Sequence, residues 1–163
     1  MVYTPKYFKT YELVGPVMYN KAIKANAERR LFYVFNPFLL MTADLLREKY
    51  GPATINNWKV GGTLKERGLR DPDTSTGALF SAHKFGCALD MSFKNATAEE
   101  IREEMKKVGC FDPGFRYNTP KGAEHFKYIH RVESTLNGKP ISWFHMDIYN
   151  SFNEDGSIIS LNV

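Results

Sequence analysis

The sequence predicts an α+β domain, with helices in the first two thirds of the chain and a strand hairpin in the last. Three observations carry the prediction. Pro37 stands where a helix accepts proline, and Leu39, Leu40, Ala43, Leu45, Leu46 and Tyr50 follow at mostly helical spacing until Gly51-Pro52 stops the run. Thr97-Ala98-Glu99-Glu100 is a capping box, in which the Thr hydroxyl accepts an orphan N–H and Glu100 answers the N–H of the cap. Residues 126–135 and 141–149 alternate and carry aromatic or β-branched side chains, and Asn137-Gly138 between them tolerates the positive φ of a tight hairpin turn.

In chain order, residues 1–36 are rich in Tyr, Phe and Lys without clean periodicity, and are read as an irregular N-terminal arm packing on a body of residues 37–163. The first helix covers 37–50. Residues 54–60 read as a short strand ending at Gly61-Gly62, and Arg67 to Arg70 as a further extended stretch. Asp71-Pro72-Asp73-Thr74-Ser75-Thr76-Gly77 is a loop by composition. The capped helix runs to about Val108, stopped by Gly109, and the hairpin follows. The tail after Asn150 is a polar exit with a weak last strand, Ile158 to Val163. No internal repeat or low-complexity tract interrupts the chain.

Composition narrows the function classes. A chain of 163 residues, 43% hydrophobic and 14% aromatic, can bury a core without staples and is not a disordered polymer. Its longest apolar run, Phe38-Leu39-Leu40-Met41, is far too short to span a bilayer. The N-terminus lacks an apolar segment, so no secretory signal peptide is expected. Two cysteines, Cys87 and Cys110, exclude a disulfide framework and a four-cysteine zinc site, and suit a reducing compartment. The net charge of +4 resides wholly in the first 50 residues, where eight Lys/Arg face four Asp/Glu. Such a face can meet nucleic acid, an anionic membrane or an acidic polymer such as cell wall. No dense basic block appears, so a solvated face is the simpler reading and nucleic acid is not the expected partner.

Of the four histidines, His83 and His145 have suggestive neighbours. Ser81-Ala82-His83-Lys84-Phe85-Gly86-Cys87-Ala88-Leu89-Asp90 sets an imidazole and a carboxylate seven apart with a glycine between them. Two ligands of one metal need donor atoms about 3–4 Å apart, because each bond is about 2 Å. An unbroken strand would hold their Cα atoms roughly 23 Å apart, and a helix about 10 Å apart along its axis. The chain must therefore double back, and Gly86 permits it. Trp143-Phe144-His145-Met146-Asp147 offers a third ligand in the last strong strand.

The run Ser81-x-His83-x-x-Gly86-x-Ala88-x-Asp90 resembles in full the S-x-H-x-x-G-x-A-x-D signature of zinc peptidases of the D-alanyl-D-alanine carboxypeptidase and Hedgehog type. The Phe144-His145-x-Asp147 strand resembles that family's third-ligand strand, and Gly68-Leu69-Arg70 its G-Y-R segment. Ile55-Asn56-Asn57-Trp58 with Gly61-Gly62 is similar to a phage-encoded branch. The resemblance covers roughly residues 38–150. It implies a single domain of the Hedgehog/DD-peptidase fold, whose small antiparallel sheet carries a zinc site and packs against helices. It also implies Zn²⁺ held by His83, Asp90 and His145 with one position open, the arrangement of catalytic zinc. Arg70 would support the developing oxyanion, and Ser81 would orient the ligand turn or a polar group of the substrate. The implied substrate is a peptide containing D-residues in bacterial peptidoglycan. Phage particle proteins are further possible partners, and the host cytoplasm before release, or the virion, is the expected location.

One departure matters. Many relatives carry a carboxylate three residues before the last histidine as general base, and Ser142 stands there. An unactivated hydroxyl cannot take a proton from water near neutral pH. Glu133, on the partner strand, is the preferred substitute; it faces Ser142 if the turn is Asn137-Gly138 and Trp143 if Lys139 joins the loop. Asp147, on the same strand face as His145, is the alternative. Without a base, the domain would be a degenerate zinc-binding component of a phage particle. His125 and His130 read as core or surface histidines, although His130 could lie opposite His145 in one register. Cys87 reads as a small packed residue, Trp143 and Phe144 as core or pocket wall. Gly61-Gly62 lacks the Lys-Ser/Thr of a phosphate loop.

Overall fold

The computed structural model describes residues 2–149, 153–155 and 157–162. The expected mixture of helix and strand is present: helices α1 (Thr10–Leu13), α2 (Pro16–Lys24), α3 (Pro37–Tyr50) and α4 (Ala98–Lys107), and strands β1 (Ala53–Thr54), β2 (Ala88–Phe93), β3 (Arg131–Leu136), β4 (Lys139–Asp147) and β5 (Ile159–Asn162). The strands form one sheet in the order β1-β2-β4-β3-β5. The first four pair antiparallel and β5 joins β3 in parallel, so the sheet is mixed rather than purely antiparallel. No helix among the described residues is long and apolar enough to cross a membrane.

Helix α3 begins where Asn36 Oδ1 accepts from the N–H of Phe38 at 3.0 Å, with Pro37 in its first turn. Its buried face, including Leu39, Leu40, Ala43 and Leu46, packs towards β2. Helix α4 opens on the expected capping box: Thr97 Oγ1 accepts from Glu100 N at 3.2 Å, and the Glu100 carboxylate from Thr97 N at 2.7 Å. It buries Ile101 and Met105 against the sheet.

Residues 2–36 differ from the irregular arm expected. Pro16 starts α2 as a first-turn proline, a 3-10 helix covers Glu28–Val34, and Phe8, Leu13, Val14, Tyr19, Leu31 and Phe35 join the same core cluster as Leu89, Met91 and Phe144. The Asp44 carboxylate on α3 accepts from Tyr3 Oη and from the N–H groups of Lys6 and Tyr7, which ties the segment down.

The strand expected at 54–60 shrinks to Ala53–Thr54, followed by a 3-10 turn at Trp58–Val60. The physical cause is side-chain competition for the backbone. Asn57 Oδ1 accepts from Leu64 N and Asn56 Oδ1 from Arg67 N, so both asparagines organise a loop instead of a ladder. Arg67–Arg70 likewise contributes only a one-residue parallel bridge, Leu69 to Val14. The hairpin strands run 131–136 and 139–147 instead of 126–135 and 141–149, because a short 3-10 turn occupies Glu124–Phe126. The last strand is Ile159–Asn162; Val163 lies outside the described residues.

The hairpin turn is as expected, with positive φ at Asn137 and Gly138 and Leu136 opposite Lys139. The register then breaks. Thr135 faces Pro140 but Glu133 faces His145, so β4 carries a multi-residue bulge over 141–144. Glu133 therefore opposes neither Ser142 nor Trp143, and His130 does not lie opposite His145. Arg102 of α4 explains how the irregularity is tolerated. Its buried guanidinium donates to the carbonyls of Glu133 at 3.3 Å and Ile141 at 3.4 Å, on either side of the break.

Candidate metal centre

Strand β2 is the strand that sequence reading did not find. Its Ala-Leu-Asp-Met core is buried throughout, so it lacks the alternation of a half-exposed strand. It lies inside the sheet between β1 and β4, and Asp90 pairs directly with His145 of β4. His83 arrives from the other side on a 3-10 turn, Ala82–Phe85, which ends at Gly86 with φ +65°. A Cβ at Gly86 would also meet the Val34 carbonyl oxygen at 2.1 Å. Only glycine satisfies both the left-handed backbone and that approach. The doubling-back inferred from spacing is thus a 3-10 turn, a left-handed glycine and the start of a strand.

The three side chains converge. One ligand atom from each of His83, Asp90 and His145 lies within 4.8 Å of the others, and all three residues are buried. His83 Nδ1 is 2.9 Å from the carbonyl oxygen of Gly68, which can only accept. The proton of neutral His83 therefore resides on Nδ1, and Nε2 presents its lone pair. That Nε2 is buried without a hydrogen-bond partner among the described residues, 3.5 Å from Asp90 Oδ2. A buried orphan nitrogen facing a carboxylate and a second imidazole is what a divalent cation satisfies, so the donor set fits a metal.

His145 turns Nδ1 to Asp90 Oδ1 at 2.7 Å. Its Nε2 lies 3.5 Å from Asp147 Oδ2 and 3.9 Å from Glu133 Oε1. Burial by itself would lower the pKa of His145, but the neighbouring Asp147, Asp90 and Glu133 carboxylates raise it to about 10. Burial would raise Asp90, yet the charges and hydrogen bonds of His83 and His145 hold it well below the usual carboxylate range. Burial lowers His83, against the pull of Asp90. The three carboxylates around His145 thus favour its protonated form in the metal-free arrangement.

The centre forms the floor of an open cleft of about 420 Å³, lined also by Arg70, Ser81, Glu133 and Trp143. Arg70 is anchored by Nε to the Glu66 carbonyl at 2.8 Å and places Nη2 3.4 Å from Asp90 Oδ2. Ser81 starts the His83 turn, its carbonyl accepting from Lys84 N. Glu133 reaches the cleft because the bulge sets it beside His145, while Ser142 is exposed within the bulge. Asp147 is fully buried and bonded to Arg131 Nε at 2.5 Å. That bond ties Asp147 to Arg131, so it is less free than Glu133 to act as a base.

Two contributors escaped the sequence reading. Arg131 lines the cleft and lies between two carboxylates, with Nη2 3.8 Å from Glu133 Oε1. Its alternation with Glu133 on one strand was the available signal. The Gly68 carbonyl gave none, since its role depends on a long-range contact. His125 is a core histidine, buried beside Tyr50 Oη and Glu104, and Cys87 is half-buried outside the ligand set. No protein-family model, curated protein or solved structure matches the chain.

Proposed function

We propose that the chain is a zinc-dependent metallopeptidase of the D-alanyl-D-alanine carboxypeptidase and Hedgehog type, from a phage-encoded branch. Its substrates are D-amino-acid-containing peptides of bacterial peptidoglycan. The observation that carries the reading is the orphaned Nε2 of His83, aimed at Asp90 and His145 on the floor of an open cleft. Two imidazoles and one carboxylate are a donor set suited to catalytic zinc. Zinc, when bound, would lower the pKa of water towards 7 and polarise the scissile carbonyl.

The protein's own groups divide the remaining work. The Gly68 carbonyl fixes the His83 imidazole, and the Asp147 carboxylate lies 3.5 Å from Nε2 of His145, where its charge acts on that ring. Glu133 takes a proton from the hydrolytic water at its carboxylate and returns it to the departing amine, which balances the hydrolysis. Arg70 offsets negative charge developing on the carbonyl oxygen. Ser81 and the Trp143 wall orient the peptide.

The test is digestion of purified peptidoglycan with mass analysis of the fragments, beside a His145→Ala control and metal analysis of the protein. Close to one zinc per chain and peptide-bond cleavage absent from the control are expected. Iron in place of zinc would overturn the metal assignment. Zinc without cleavage would point instead to the degenerate component of a phage particle that the serine at position 142 would allow.

A further inference from the structure

The basic first third of the chain is not used by the metal centre. Helix α2 turns Met18, Tyr19 and Ala22 to the core. On the opposite side Val17, Lys21 and Lys24 recur at helical spacing. The adjoining 3-10 helix adds exposed Arg29 and Arg30, and the two elements pack together. Among the described residues, none of these four cations forms a salt bridge, whereas Lys6, Lys49 and Lys106 each pair with a glutamate. The one acid within residues 13–43 is Glu28, and its carboxylate accepts the Thr10 hydroxyl at 2.5 Å. Asp71 and Asp73 share the cavity at the start of α2 with Lys21, which moves the centre of positive charge to Lys24, Arg29 and Arg30.

Apolar side chains are interleaved with these cations. Val17 is 51% exposed, Ile23 46%, Tyr33 64% and Val34 48%. A soluble polyanion would need the cations alone. Single-stranded nucleic acid would need exposed rings for stacking, and Tyr33 is the only exposed ring between residues 17 and 36. Aliphatic groups among unpaired cations match a surface that is anionic outside and apolar just beneath, where side chains of both kinds are satisfied together. We infer that the α2 and Glu28–Val34 face docks the protein on anionic lipid bilayers. This inference is independent of the peptidase reading.

The experiment is co-sedimentation of the full chain with vesicles of phosphatidylcholine mixed with phosphatidylglycerol, against pure phosphatidylcholine. Selective binding to the mixed vesicles, released by salt, is expected. Arg29→Glu with Arg30→Glu should lower binding by at least about fivefold per site changed. Ile23→Ser with Val34→Ser should also weaken it, and Lys121→Glu with Lys127→Glu, outside these two elements, should not. Arg30→Gln alone gives the same direction if the double variant melts early. Absence of selective binding would overturn the inference, as would equal loss in the Lys121/Lys127 variant. Binding indifferent to the Ile23/Val34 change and competed away by dextran sulfate would replace the bilayer with a soluble polyanion.

Discussion

Replacing Gly68 with alanine tests whether the metal centre is held by a contact outside it. The Cβ would sit 2.0 Å from the Leu13 carbonyl oxygen, a rigid backbone atom, so the strands of chain must separate by about 1 Å or more to reach ordinary contact. One bond lies across that gap, and a second joins Gly68 to the metal centre. Leu69 N donates to Leu13 O at 2.8 Å, and the Gly68 carbonyl accepts from His83 Nδ1 at 2.9 Å. Each is worth about 1 kcal/mol, and overpacking costs about 1–3 kcal/mol. The expected loss is therefore about 3–5 kcal/mol of stability, with zinc affinity lowered about 10–100-fold because His83 loses its orienting partner. Urea unfolding of the chelator-treated protein gives the first quantity and chelator competition the second. Unchanged stability would show that the approach of Leu13 to Gly68 is not real. Lowered stability with unchanged affinity would show that the carbonyl does not set the His83 tautomer.

Four further outcomes follow from the structure. Glu133→Gln should lower peptidoglycan cleavage by about 10²–10⁴-fold while zinc content stays constant; Asp147→Asn should chiefly weaken zinc binding, and the reverse pattern would exchange their roles. In the chelator-treated protein, His145 has a raised pKa, so its contribution is complete below about 6.5 and fades as pH climbs towards about 10. His83 is shifted down, so stability also falls as pH drops below about 6.5, and melting temperature should peak near there. Asp90, also shifted down, contributes above about 3.9 and loses that contribution only at lower pH still. Zinc must displace the His145 proton, so its affinity should rise with pH across the same alkaline window. Thr97→Ala removes the α4 cap and should cost about 1 kcal/mol, or about 2–4 °C in melting temperature, without altering zinc binding.

Local chemistry made part of this protein legible in its sequence. Helices α3 and α4 and the Asn137-Gly138 turn are set by caps, prolines and φ preferences that act over a few residues, so they stand where the sequence places them. The candidate trio was legible too, because His83, Gly86 and Asp90 are close in the chain and His145 lies in a strand marked by aromatic neighbours. Tertiary contacts decided the rest. β2 lacks alternation because both its faces are buried, so no periodicity could mark it. The N-terminal residues pack on the body because Asp44 binds Tyr3 and Lys6 and the core takes Phe8, Leu13 and Tyr19. The place of Glu133 beside His145 depends on a bulge whose freed carbonyls are held by Arg102, thirty-one positions away from Glu133 in the chain. A hydrogen bond between such distant residues leaves no local pattern, so only the folded chain reveals which carboxylate reaches the centre.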